Sequence, residues 1–328
     1  MGTDLSARAE DIRRWSEAPV KPIELRLIKG GDKRSLRIEA FLKELVSLAP
    51  ALSITEENVR PGALPGFRLQ GSWMYHAVPE GRELTPFLEL IERIASGDPG
   101  VKGPLRKTLE AASAPSNVDL YVAVQCPNCP EVVRRISPFP MVNPAIKVRI
   151  TDAVLFPGAA EEKSIRAVPT VLCGRGFRFT GQVGSEEVAK ALLQGDVGAP
   201  GPDSLSRMIK AGDAQGLAAM MLERKAVFPG LVDLLAGEEL SLRLGAMVAM
   251  EELGEKDPDL AGEALEALWE RLPESGHAAK GDIVYLIGRL GGHAWVPRLK
   301  SLLEQEHHQE LREALEEALD VLHAHSRR

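Results

Sequence analysis

From residue 22 the apolar positions switch between two periods. "PIELRLIK" alternates apolar and polar residues, and "SLRIEAFLKELVSLA" returns its apolar residues every three or four, so a strand is followed by a helix. "LSITEEN", "LPGFRLQ" and "MYHAVPEG" then read as strands, and "ELTPFLELIERIAS" as a helix. From residue 118 the order recurs: "VDLYVAV", "CPEVVRRI", "AIKVRITDA", "VPTVLCG", "GFRFTG" and "SEEVAKALLQ". The pattern predicts two copies of one βαβ–ββα plan. Between them "GDPGVKGP" and "AASAPSN" have the composition of connecting segments around a short helix, "LRKTLEA".

After the Gly/Pro-rich "GDVGAPGPDS" strand signals stop. "LSLRLGAMVAMEELGEKDPDLAGEALEALWERL" and "HAAKGDIVYLIGRLGGHAWVPRLKSLLEQE" repeat a two-helix plan, with Gly245 matched by Gly281, and "ELREALEEALDVL" begins it again. Paired helices at a period of roughly 32 to 37 residues predict an α-solenoid of the HEAT type; an irregular helical bundle is the alternative. Trp269 and Trp295 fall on apolar helical faces and are expected in its core. Three divisions follow: residues 1–112, 113–196 and 203–328.

The 328 residues are 44% hydrophobic and 27% charged, enough to build substantial cores. A formal charge of -7 leaves no basic excess for phosphates, which argues against nucleic acid and anionic membrane surfaces as partners. Near the N-terminus charged and apolar residues alternate where a secretory signal needs a continuous apolar stretch, and no segment has the length of a membrane span. A cytosolic location is expected, where a close cysteine pair is more often catalytic or metal-binding than a staple.

Cys126 and Cys129 form that pair, in "QCPNCPEVV". A C-x-x-C where a strand feeds a helix puts the first sulfur at the helix N-terminus, where unpaired N–H groups and the macrodipole favour a thiolate. Cys126 is therefore expected to attack and Cys129, one turn into the helix, to resolve the mixed disulfide. Pro127 would open the helix, having no N–H to lose. Pro169, in "RAVPTVL", opens a later strand and is compatible with a cis peptide bond; the backbone of Val168 would pair with an extended substrate. Pro127, Asn128, Val168, Pro169 and Thr170 are the candidate substrate-contacting positions. Laid over the second copy, the first has Gly31 and Arg34 in the places of the cysteines and Pro65 in that of Pro169.

Zinc and inert core cysteines are the rival readings of the pair. Zinc would need two further ligands, and Cys173, His76, His277 and His293 are all distant in sequence. Cys173, beside the turn "GRG", is expected to be semi-buried and without a mechanistic role. "GRGFRFTG" reads as a β-hairpin rather than a nucleotide loop. His307, His308, His323 and His325 read as solvated polarity or weak adventitious metal affinity.

On "CPNCPEVV", "MVNPAIKVRITDA", "VPTV" and "GRELTPFLELIERIASGDP", residues 5 to 195 resemble the N-terminal tandem thioredoxin-like domain of the bacterial alkyl hydroperoxide reductase flavoprotein subunit. The glutaredoxin-like protein disulfide oxidoreductases of thermophiles share the plan more distantly. The resemblance implies tandem thioredoxin-like α/β folds before the HEAT-like all-α part, with Cys126 as interchange thiol, Cys129 as resolving thiol and Pro169 as the cis-proline. It also implies that Glu83, in "GREL", lies near the pair and exchanges protons with Cys129, although an acid favouring a helix dipole is the plainer reading of that residue. The implied partners are protein disulfides, a thioredoxin-reductase-like flavoprotein and a peroxiredoxin. No cofactor beyond the redox-active disulfide is expected, since no G-x-G-x-x-G opens a helix after a strand. The helical repeats would recruit a protein partner. The alternative is a redox-sensing scaffold that binds without turnover.

Overall fold

The computed structural model describes residues 5–17, 22–57, 62–112, 115–174, 177–194, 200 and 202–325. The chain separates into two compact units, Met1–Val197 and Gly198–Arg328.

The first unit begins with helix α1 (Ala9–Glu17). Strand β1 (Ile23–Ile28), helix α2 (Lys33–Leu48), strands β2 (Leu52–Glu57), β3 (Gly66–Leu69) and β4 (Trp73–His76) and helix α3 (Leu84–Ser96) make the first copy. Helix α4 (Gly103–Ala111) links it to β5 (Ser116–Val122), α5 (Cys129–Ile136), α6 (Phe139–Val142), β6 (Ile146–Asp152), α7 (Pro157–Glu162), β7 (Thr170–Cys173), β8 (Phe177–Thr180) and α8 (Ser185–Gln194). Every strand expected from the alternation is present. β7 and β8 pair antiparallel, from Thr170 opposite Thr180 to Cys173 opposite Phe177, as the hairpin reading of "GRGFRFTG" expects; residues 175–176 of that stretch lie outside the described residues.

The eight strands form one sheet in the order β2-β1-β3-β4-β6-β5-β7-β8. Within each copy the first strand pairs parallel to the second and antiparallel to the third. The copies meet where β4 pairs parallel to β6, from Trp73 opposite Val148 to His76 opposite Thr151. A division at 112/113 therefore separates two halves of one sheet. All four residues of β4 are buried, as a strand inside a sheet requires. Trp73 adds a cross-link, its indole Nε1 donating to the carbonyl of Ser137 after α5 (2.7 Å).

One hydrophobic core runs through both halves. Phe67 stacks on Tyr75 at 5.0 Å between ring centres, and Phe87 meets both edge-on at 5.8 and 5.3 Å. Leu120, Val132, Ile136 and Val171 fill the second half.

The second unit is helical: α9 (Pro202–Lys210), α10 (Ala214–Arg224), α11 (Pro229–Ala236), α12 (Leu240–Lys256), α13 (Pro258–Arg271), α14 (His277–Leu290), α15 (Val296–Gln305) and α16 (Gln309–His325). Alternate helices pack in two rows, α10–α12–α14–α16 and α9–α11–α13. Arg243 on α12 is buried and donates to Asp282 (2.8 Å) and to the carbonyls of Gly237 and Glu238, closing the end of α11. Gly245 keeps α12 close to α9, because a Cβ there would overlap the side chain of Ile209. Gly281 meets no such neighbour, so the two matched glycines have different surroundings. Trp295 is buried as expected, whereas Trp269 is only partly buried against the core; the two pack edge to face at 5.6 Å. His308 stacks on His277 at 4.2 Å. No described helix is long and apolar enough to cross a membrane.

Candidate redox site

Strand β5 ends at Val122, and a turn closed by the N–H of Cys126 on the carbonyl of Ala123 (3.0 Å) carries the chain to the pair. The helix begins later than expected. Cys129 is its first residue, Asn128 the residue before it, and Pro130 rather than Pro127 occupies the first turn. Cys126 and Pro127 thus stand in front of the helix, and Cys129 is at its opening rather than one turn within it. The reason is the bend at 127–128, which turns Cys126 back over the helix end.

Cys126 and Cys129 are joined as a disulfide, their Cα atoms 5.5 Å apart. The backbone N–H of Cys129 donates to Cys126 Sγ (3.1 Å), aiming one of the helix's unpaired donors at that sulfur. Cys126 is partly exposed, whereas Cys129 is fully buried.

The Val168–Pro169 peptide is cis, and the carbonyl oxygen of Val168 lies 3.6 Å from Cys126 Sγ. Thr170 departs from its expected role. It is 0% exposed, and its hydroxyl donates to the carbonyl of Ala167 (2.7 Å) and sits 3.3 Å from that of Thr180. The side chain holds the loop from inside, and Pro169 before it is buried as well. Pro127 and Asn128 are exposed, and Asn128 Oδ1 accepts from Gln182 Nε2 (2.8 Å), tying the front of the cysteine helix to the end of the β7–β8 hairpin.

Glu83 enters from the first copy. It ends a short 3-10 turn, Gly81–Glu83, that packs against α5, and a Cβ on Gly81 would lie 3.0 Å from Val124 beside the pair. Glu83 is 7% exposed and its Oε1 has no hydrogen-bond partner. It lines a small apolar cavity with Val122, Val124, Val133 and Asp152. Burial in this wall, helped by the nearby charge of Asp152 and opposed by Arg134, pushes its carboxyl up to about 7. Asp152 was not singled out by its sequence context. Its Oδ1 accepts from the N–H groups of Val154 (2.8 Å) and Leu155 (3.1 Å) at the end of β6, a turn that the Asp of "ITDA" alone could have suggested.

The corresponding place in the first copy is closed. Asp32 caps α2, accepting from the N–H groups of Arg34 (3.0 Å) and Ser35 (3.1 Å), and Arg34 Nε folds back onto it (2.7 Å). Arg34, and then the Ser35 N–H, hold that carboxyl below its ordinary range. The donors that face a sulfur in the second copy face a carboxylate here. Pro65 overlies Gly30 and its carbonyl accepts from His76 Nδ1 (3.0 Å), so His76 is a satisfied core residue.

Cys173 is more deeply buried than its turn suggested: it is 3% exposed, and burial pushes its thiol up to about 12. Among the described residues no group of three His, Cys, Asp or Glu side chains is arranged to hold a metal ion.

Fold and site define the first unit as a tandem thioredoxin-like α/β structure with a paired C-x-x-C in its second half. Comparison with known proteins agrees. The chain is 25% identical over 250 residues to the F subunit of the alkyl hydroperoxide reductase of Staphylococcus epidermidis, covering 71% of this chain and 46% of that protein. It is 24% identical over 241 residues to an NADH dehydrogenase of Bacillus subtilis, covering 71% and 47%. The chain thus spans less than half the length of these relatives. Among solved structures, the NTD_N/C domain of the alkylhydroperoxide reductase AhpF of Enterococcus faecalis matches with a TM-score of 0.50 at 20% identity, over 57% of this chain and 98% of that one. A protein disulfide oxidoreductase of Aeropyrum pernix matches with a TM-score of 0.51 at 18% identity, over 60% and 96%. No family model matches the chain.

Proposed function

We propose that the protein is a thiol–disulfide oxidoreductase that passes electrons between protein disulfides through Cys126 and Cys129. The observation that carries this is a partly exposed Cys126, with a helix N–H aimed at its sulfur and the Val168 carbonyl beside it, in front of a buried Cys129.

In the direction of substrate reduction, the Cys126 thiolate attacks one sulfur of a substrate disulfide. A mixed disulfide forms and the substrate's other sulfur leaves as a thiolate that takes a proton. Cys129 gives its proton to the Glu83 carboxylate and attacks Cys126 Sγ. The substrate leaves with both sulfurs reduced, and Cys126–Cys129 holds the oxidised state. A reductant then reverses the sequence: its thiolate attacks Cys126 Sγ, and Cys129 departs as a thiolate that recovers the proton from Glu83. A carboxyl that titrates near neutral pH suits both directions.

The resemblance to alkyl hydroperoxide reductase suggests a flavoprotein reductase as electron donor and a peroxiredoxin or another protein disulfide as acceptor, in the cytosol. We read the helical unit as HEAT-like repeats that recruit a protein partner; the packing of alternate helices in two rows supports this. Supplied with a thioredoxin-reductase-like flavoprotein and NAD(P)H, the purified protein should reduce insulin, and Cys126→Ser should bring the rate to background. Retained turnover in that variant would sink the assignment.

A further inference from the structure

Helix α12 is apolar on two sides. Leu242, Ala246, Ala249, Met250 and Leu253 are buried in the helical core. Leu240, Leu244 and Val248, spaced four apart along another side, are 57, 50 and 48% exposed. Tyr285 on the neighbouring α14 continues this strip: it is 47% exposed and its hydroxyl donates to Glu251, three residues beyond Val248. These four account for more than half of the large apolar side chains most exposed among the described residues; those outside the helical unit, Leu36, Val154 and Leu193, lie on three different helices or loops. A core side chain gains from burial, so an apolar row kept in water marks a place where another surface is expected.

The rim is acidic. Glu251 borders Tyr285, exposed Glu255 extends the same side of α12, and exposed Glu317 on α16 acts on Tyr285 from the other flank, with Arg289 the opposing charge. The bias extends to the whole unit: residues 198–328 hold 23 acidic and 14 basic side chains, whereas residues 1–197 hold 24 and 26. The chain's negative charge therefore belongs to the helical unit.

We infer that the Leu240–Leu244–Val248 row with Tyr285 is a docking surface for a cationic amphipathic helix of a protein partner. Apolar residues of that helix, three or four apart, would lie on the row, and its flanking Lys or Arg residues would face Glu251, Glu255 and Glu317. The inference rests on the reading of the helical unit as a recruiting module, and supplies its surface and the chemistry of its partner.

The test uses the full chain and two labelled helical peptides of identical Leu spacing, one with Lys and one with Glu at the remaining positions, read by fluorescence anisotropy at low and high salt. The Lys peptide should bind about tenfold or more tightly than the Glu peptide, should weaken with salt, and should lose at least about tenfold in affinity in the double variant Leu244→Ser/Val248→Ser. The far-ultraviolet circular dichroism and thermal melt of the variant should match those of the wild type, which shows that the helical unit is folded, and insulin reduction by the α/β unit should be unchanged. Equal binding of the two peptides, full binding by the variant, or a wild-type dimer that the variant converts to monomer would overturn the inference. The recruiting role is read separately, by placing the double substitution in a Cys129→Ser background that stalls mixed disulfides. If peptide selectivity fails but the yield of trapped partner still falls, recruitment survives with a different partner chemistry; if the yield is unchanged as well, both fail.

Discussion

Glu83 holds a carboxyl against Val122, Val124 and Val133, and its Oε1 has no hydrogen-bond partner. Its proton is retained on folding: the carboxyl rises from 4.5 to about 7, so the folded chain binds more protons than the unfolded one between those values. Stability therefore falls as pH rises through that window, by on the order of 3 kcal/mol in all, and is recovered on acidification toward 4.5. Glu83→Gln should flatten this dependence, measured as the urea midpoint of the α/β unit at pH 5 and pH 8. The same variant should slow reduction of the Cys126–Cys129 disulfide by about ten- to a hundredfold near neutral pH, if the carboxyl serves as the proton partner of Cys129. An unchanged rate with a flattened stability profile would leave Glu83 a buried acid without a part in the exchange. The Cys126–Cys129 pairing was legible from its local spacing, and the cis bond at Pro169 from the proline's place at the opening of a strand. Asp152 and the inward turn of Thr170 were not, since each depends on what packs against it from another element. The shift in the proline that opens the helix, from Pro127 to Pro130, has a local cause: the bend at 127–128 leaves no mark in the apolar period.

The strands and helices themselves followed the apolar periods closely, because the alternation in "IKVRI" and the threefold-to-fourfold spacing in "ELTPFLELIERIA" are long enough to exclude the other period. The pairing of β4 with β6 was not readable, because a buried four-residue strand such as "WMYH" carries no signal for which neighbour it takes. Gly66 bears on this pairing from the other side of β4. A Cβ there would come within overlap of the Tyr75 carbonyl and 2.8 Å of His76 Nδ1, so β3 can approach β4 only as glycine. Gly66→Ala should destabilise the α/β unit by about 1–3 kcal/mol, seen as a lower melting temperature, with no direct effect on the sulfurs. The capped first copy shows the converse at the helix scale. Asp32 satisfies the end of α2 with a carboxylate, and the equivalent end of α5 is left to a sulfur.

The chain joins a tandem thioredoxin-like sheet to an acidic helical unit, and all three cysteines belong to the second copy of the α/β plan. Cys173 serves as an internal reference, buried and with its thiol pushed up to about 12. Exchange through the pair is read most directly by mixing the reduced full chain with one equivalent of a protein disulfide, quenching with acid, alkylating, and mapping the thiols by mass spectrometry. Cys126 and Cys129 should be lost to alkylation together and be recovered as one disulfide, with Cys173 unoxidised, while Cys129→Ser should stop at a mixed disulfide on Cys126. Free thiols at both positions after exposure to the substrate, or a mixed disulfide carried by Cys129 in place of Cys126, would contradict the account.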